Sequence, residues 1–220
     1  MPEMLIEIRD LTRLIPGTDR PLLNRLDLNI AAGERLGLSG VSGSGKTTLM
    51  RSIAALDPVA GGTLMFRGDV VVDQPAFRRQ VVYLHQRPAM MAGTVRENLL
   101  LPFSLASSSS GASYDEDRLL GWMKPLGKQP SILDQTIDTL SGGEQQIIAL
   151  LRAIQLDPVI LLLDEPTASL DSDSVASFER LVDSWLNEVA GRALVWISHD
   201  DAQLARMTDR VSTISAGKVQ

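Results

Sequence analysis

Gly40-Val41-Ser42-Gly43-Ser44-Gly45-Lys46-Thr47 constrains this chain more than any other stretch of it. The strand-like run Arg35-Leu36-Gly37-Leu38 precedes it, and a helical pattern from Thr47 to Leu56 follows. A glycine-rich loop between a strand and a helix is the setting in which a backbone cradles phosphate. Chemistry fixes the spacing. Glycines let the chain curl so that its N–H groups point inward at phosphate oxygens, and the start of the helix adds partial positive charge. The candidate phosphate-binding residues are therefore Gly40, Ser42, Gly43, Ser44, Gly45, Lys46, Thr47 and Thr48. The Lys46 ammonium can reach β- and γ-phosphates, and the Thr47 hydroxyl suits Mg²⁺.

The rest of the chain repeats the strand–helix alternation. Val81-Val82-Tyr83-Leu84, Val159-Ile160-Leu161-Leu162-Leu163 and Ala193-Leu194-Val195-Trp196-Ile197 are continuous apolar runs, the pattern of strands buried on both faces. Leu26, Leu28 and Ile30 alternate with polar neighbours, so that strand has one buried face. Helical stretches cover Thr47 to Leu56, Glu144 to Gln155 and Ser174 to Val189. Together these predict an α/β fold with a mainly parallel sheet. Between Thr94 and Leu140 no strand signal stands out, Asp115 to Met123 fits a short helix, and Ser107-Ser108-Ser109-Ser110-Gly111 reads as a solvated loop. Trp196, inside an apolar run, reads as core.

Composition removes several chemistries. The chain of 220 residues has no cysteine, which excludes disulfides, thiolate metal sites and cysteine nucleophiles. With two histidines, His85 and His199, a multi-histidine metal centre is not expected. A formal net charge of −6 argues against a nucleic-acid partner, which calls for a basic face. Met1-Pro2-Glu3-Met4 lacks the basic and apolar regions of a signal peptide. No apolar run approaches the roughly 18 residues of a membrane span, so a soluble, intracellular chain is expected.

A second site element follows the Val159–Leu163 run, which ends in Asp164-Glu165-Pro166. Functional groups in open α/β sheets collect at the carboxyl ends of strands. There Asp164 would face a Mg²⁺ beside Thr47, and Glu165 would polarise a water in line with the γ-phosphate. A third element, Leu140-Ser141-Gly142-Gly143-Glu144-Gln145-Gln146, places two glycines and a capping serine at the head of a helix.

With these motifs in this order, the chain resembles the ATP-binding-cassette ATPases over essentially its whole length. The resemblance implies a P-loop nucleotide-binding core with a mainly parallel sheet, an N-terminal antiparallel β portion and an inserted helical subdomain. It implies one domain over 1–220, with a core lobe of 1–87 and 157–220 and a helical signature subdomain of 88–156. It makes Ser141, Gly142 and Gly143 the signature that binds ATP held by a second, facing subunit, and Asp171 part of a loop crossing that interface. Gln86 resembles the glutamine that senses Mg²⁺ and the attacking water. His199 resembles the switch histidine on the γ-phosphate. The implied catalytic set is Glu165, His199 and Gln86, and the implied metal set is Thr47, Gln86 and Asp164.

The implied cofactors are ATP and Mg²⁺, and the implied partners are a second copy of the chain and a membrane permease on the inner face of the cell membrane. The stretches Gly93–Leu99, Leu101-Pro102-Phe103 and Ala193–His199 are similar to iron-export cassettes. Lipoprotein-release and cell-division cassettes remain alternatives, as does a soluble ATPase acting on DNA or the ribosome. Two departures stand out. No aromatic residue occupies Thr12-Arg13-Leu14-Ile15-Pro16-Gly17, where family members stack adenine, and Ile147 replaces an arginine after the signature. Met90 and Met91 fit either a permease-facing groove or a local core.

Overall fold

Leu26, Leu28 and Ile30 bury one face of a strand spanning Pro21–Ala31, as their period-two spacing requires. The computed structural model describes residues 3–105 and 113–219. Its strands are β1 (Met4–Leu14), β2 (Pro21–Ala31), β3 (Arg35–Ser39), β4 (Gly61–Phe66), β5 (Asp69–Val70), β6 (Val81–Leu84), β7 (Ile160–Asp164), β8 (Ala193–Ile197), β9 (Arg210–Ser215) and β10 (Lys218–Val219). Its helices are α1 (Lys46–Ile53), α2 (Gln74–Gln80), α3 (Val95–Leu105), α4 (Glu116–Met123), α5 (Gly142–Ile154), α6 (Ser172–Glu188) and α7 (Asp201–Met207). Short 3₁₀ turns lead from α4 to α5. The serine-rich stretch at 107–111 lies outside the described residues.

The chain divides into two compact units, the first made of Met1–Tyr83, Val159–Glu165 and Ala190–Gln220. Four strands form a sheet in the order β2-β1-β4-β5, antiparallel throughout, and six form another in the order β10-β9-β3-β8-β7-β6. In the larger sheet β9, β3, β8 and β7 run parallel. This agrees with the expected parallel sheet and antiparallel N-terminal portion. Every residue of β7 and β8 is buried, which is why their sequences run apolar without alternation. Leu49, Met50 and Ile53 of α1 join the same core as Leu36, Leu162 and Val195. Trp196 is wholly buried, as expected for core, and its Nε1–H donates to Gln203 at 3.3 Å.

Register aligns the site. Leu38 of β3 pairs with Ile197 of β8, and Ile197 pairs with Asp164 of β7. The three strands therefore end together, and the residues that follow emerge along one edge.

The second unit comprises Leu84–Pro158 and Pro166–Val189. Residues 166–189, placed in the core lobe by the sequence boundaries, thus group with the helices. Their attachment is physical: Arg118 of α4 donates two hydrogen bonds to Asp157 at 2.8 and 2.7 Å and another to Glu188 of α6 at 2.9 Å. Its guanidinium lies 4.5 Å from the centre of the Trp122 ring, whose Nε1–H donates to Glu188 as well. Asn98 of α3, almost fully buried, clamps the loop before it by accepting from Met91 N and donating to Met91 O, both at 2.9 Å. The Met91 side chain is left 54 % exposed, so the core alternative does not describe it. No helix among the described residues is long and apolar enough to cross a membrane.

Candidate functional site

Lys46 opens α1 after Gly45, which takes a left-handed conformation at φ 104°. The Lys46 side chain is buried, and its ammonium donates to the carbonyls of Gly40 at 2.7 Å and Val41 at 3.2 Å. The loop thus curls around its own cation. Ser44 is buried in the curl with its Oγ lacking a hydrogen-bond partner. A cavity of about 180 Å³ opens here, lined by Ser42, Gly43, Gly45, Lys46, Thr47 and Thr48 together with Leu22, Glu165 and His199. That volume is below the roughly 300 Å³ of sites that enclose a drug-sized ligand. It suits a phosphate tail with the rest of a nucleotide outside.

Two glycines of the loop differ sharply. A Cβ on Gly40, at φ 135°, would overlap the Ile214 carbonyl oxygen and come 2.9 Å from Ser44 Oγ. A Cβ on Gly43, at φ 77°, would meet nothing within 4 Å. Left-handed strain alone costs about 1–2 kcal/mol, roughly 2–8 °C of melting midpoint for a chain of this size. Gly43→Ala should stay within that loss in the nucleotide-free protein, whereas Gly40→Ala should exceed it, both read by circular dichroism. Equal losses would mean that the backbone at Ile214 yields freely.

The carboxyl edge of the sheet supplies the acids. Asp164, the last residue of β7, is 3 % exposed and accepts a hydrogen bond on Oδ2 from the Tyr83 hydroxyl at 2.9 Å. Burial, and after it the Asp164 charge, pushes the Tyr83 phenol well above its ordinary range, so it remains a donor. Glu165 follows in the left-handed region at φ 47°, with its N–H donating to Ile197 O at 3.0 Å. Such a conformation is costly for a residue with a side chain and concentrates at functional sites. Its Oε1 stands 3.0 Å from His199 Nε2, and both side chains line the phosphate cavity. His199 sits between β8 and α7, whose first turn is capped by Asp200 accepting from Ala202 N at 2.9 Å.

Mg²⁺ can be tested against this donor set. Among the described residues no three His, Asp or Glu side chains cluster to hold a metal. Mg²⁺ does not need such a cage, because it keeps waters and takes one or two carboxylates together with phosphate oxygens. One buried carboxylate, Asp164, and the Thr47 hydroxyl fit that sparse role.

Gln86, Ser141, Gly142, Gly143 and Asp171 belong to the second unit. Ser141 caps α5: its Oγ accepts from Glu144 N at 3.3 Å, and Glu144 Oε2 accepts from Ser141 N at 3.0 Å. The Lys128 ammonium, then the Ser141 N–H, holds the Glu144 carboxyl below the usual range. The two signature glycines part company here. A Cβ on Gly143 would come 3.0 Å from Leu170 Cδ2 and 3.1 Å from Ser169 O, whereas on Gly142 the nearest atom is 4.0 Å away. A side chain at Gly143 would thus press on the Ser169–Leu170 turn, which would have to shift by a few tenths of an ångström to admit it. Asp171 caps α6, accepting from Asp173 N and Ser174 N. Gln86 is exposed just past β6 and lines a cavity of about 390 Å³ with Gly142, Gln145 and Ser169. Ile147 is buried in α5, consistent with an apolar replacement.

Sequence reasoning missed Tyr83 and Leu22. Leu22 carried no signal: it shares the parity of the inward-facing Leu26, Leu28 and Ile30, but the left-handed Arg25 at φ 48° interrupts that alternation, and Leu23 is the residue buried there. Ile15, where an adenine-stacking ring was sought, is 37 % exposed in the β1–β2 turn.

Residues 23–168 match the family model described as ABC transporter. The chain belongs to the ABC transporter family. It is an ATP-binding, ATP-hydrolysing cassette of that family. The cassette is 34 % identical to the probable iron export ATP-binding protein FetA of Escherichia coli over 92 % of this chain and 89 % of that protein. It is 33 % identical to the sulfate/thiosulfate import ATP-binding protein CysA of Caulobacter vibrioides, of which it spans 59 %. In structure it is similar to the ATP-binding cassette MJ0796, solved as a post-hydrolysis dimer with ADP and Pi. That match has a TM-score of 0.86 and 27 % identity, and it covers 98 % of this chain and 97 % of that one.

Proposed function

We propose that the cassette energises a separate membrane permease from the cytoplasmic face, as a homodimer with two ATP molecules between its subunits. The observation that carries this reading is the Glu165–His199 pair on the wall of the cavity that Lys46 and Thr47 line. The residues divide the work by position. Backbone N–H groups of the loop and the Lys46 ammonium hold the phosphate tail. Glu165 polarises an attacking water, and His199, donating from Nε2, fixes the Glu165 carboxylate. When bound, Mg²⁺ held by Thr47 and Asp164 would neutralise phosphate charge. The signature end of α5, with Ser141 and the open Gly142, serves the ATP of the facing subunit. Asp171 spends its carboxylate on α6, and so shapes the turn that Gly143 packs against.

Leu22 and Ile15 offer aliphatic rather than aromatic contact to the base. The exposed Met91 belongs to the permease-facing surface. Export of a metal such as iron is the cargo we assign, supported by the likeness to FetA over nearly its whole length. Replacing the chain with Lys46→Ala in cells should cut phosphate release by about 10²-fold or more and raise total cellular iron, read by mass spectrometry. Lost hydrolysis with unchanged iron would remove the cargo assignment and leave the ATPase standing.

A further inference from the structure

We propose that Tyr83 is a positioning residue for cation binding, its hydroxyl fixing the Asp164 carboxylate so that one oxygen is directed at the metal. This rests on the reading that Asp164 helps hold Mg²⁺. Tyr83 and Asp164 stand near the ends of β6 and β7, neighbours in the six-stranded sheet, and the hydroxyl donates to Oδ2 at 2.9 Å. The terminal torsion of an aspartate is broad and roughly two-fold, so nothing intrinsic holds its plane. A hydrogen bond on Oδ2 breaks that symmetry and makes Oδ1 the better cation donor.

Burial of Asp164 leaves little solvent to take over the task if the hydroxyl is lost. Hydrogen-bonding partners of metal ligands typically control 10–100-fold in metal affinity or activity. Tyr83 would act only through Asp164.

The test separates cation binding from nucleotide binding. In Tyr83→Phe the Mg²⁺ concentration for half-maximal ATP hydrolysis should rise about 10–100-fold, while ATP affinity measured in EDTA stays at the wild-type value. An unchanged Mg²⁺ requirement overturns the proposal. Equal loss of metal-dependent and metal-free binding also overturns it, because that is the mark of a merely structural tyrosine.

A second measurement needs no Tyr83 variant. The chain has two tyrosines, Tyr83 and Tyr114, so 3-fluorotyrosine labelling with Tyr114→Phe leaves one ¹⁹F signal. That signal should shift on adding Asp164→Asn to the nucleotide-free protein, and on adding Mg²⁺ with ATP, but not with ATP in EDTA. A signal indifferent to Asp164→Asn or to Mg²⁺ with ATP, or one moved equally by ATP in EDTA, overturns the proposal. Asp164→Asn also guards the premise: if it leaves the Mg²⁺ requirement unchanged, the cation reading of Asp164 itself falls. If it raises that requirement and Tyr83→Phe does not, only the role of Tyr83 falls.

Discussion

Glu165→Gln should keep ATP binding and lose about 10²–10⁴-fold in phosphate release, the usual worth of a positioned base. The substitution is nearly isosteric and leaves the backbone at φ 47° and the N–H bond to Ile197 O untouched. It removes the charge that would draw a proton from water, while Lys46 and the loop that hold the phosphates are unchanged. With hydrolysis blocked, ATP persists between the subunits of the proposed homodimer and keeps them together far longer. Adding Mg²⁺-ATP should therefore convert the variant to dimers, visible as a doubled mass in light scattering. Near-wild-type phosphate release would take Glu165 out of the mechanism. The size of the effect follows from placement: Glu165 is the carboxylate that lines the phosphate cavity, whereas Asp164 is buried against Tyr83.

The parts of this fold that sequence made legible are those under a single strong constraint. β7 and β8 are buried on both faces, so their apolar runs matched the observed strands within a residue at each end. The phosphate loop was legible because its glycines, lysine and threonine answer one demand, a backbone wrapped around an anion. Helix starts shifted where caps decide them: α5 begins at Gly142, not Glu144, because Ser141 closes the box with Glu144.

Other elements escaped because competing signals blurred them. β4 begins with Gly61-Gly62 and is half-buried along most of its length, so neither alternation nor an apolar run marks it. α3 carries Pro102 inside it, a residue that ordinarily argues against a helix. The Tyr83–Asp164 bond joins residues far apart in sequence, and only the sheet order brings their strands side by side. Gly142 and Gly143 look equivalent in sequence, yet the placement of Ser169 and Leu170 leaves Gly143 the more crowded of the two.

A mixture of Lys46→Ala and Ser141→Arg chains should hydrolyse ATP although each variant alone does not. The proposed homodimer is two-fold symmetric, which makes its two sites equivalent, and in the proposed arrangement each joins the phosphate loop of one chain to the signature helix of the other. In a mixed dimer one site carries both lesions, and the other pairs an intact Lys46 with an intact Ser141. Random pairing makes about half the dimers mixed, so recovery should approach roughly a quarter of wild-type turnover if one good site works alone.

Ser141→Arg acts at the mouth of α5, where a cation opposes the partial positive charge of the helix start and fills the approach beside Gly142. It leaves the phosphate loop of its own chain in the other unit. If a single chain instead built a complete site, every chain in the mixture would be defective and no activity would return. Phosphate release titrated against the mixing ratio decides between these outcomes, because shared sites give a maximum near equal proportions and self-contained sites give a flat line at zero.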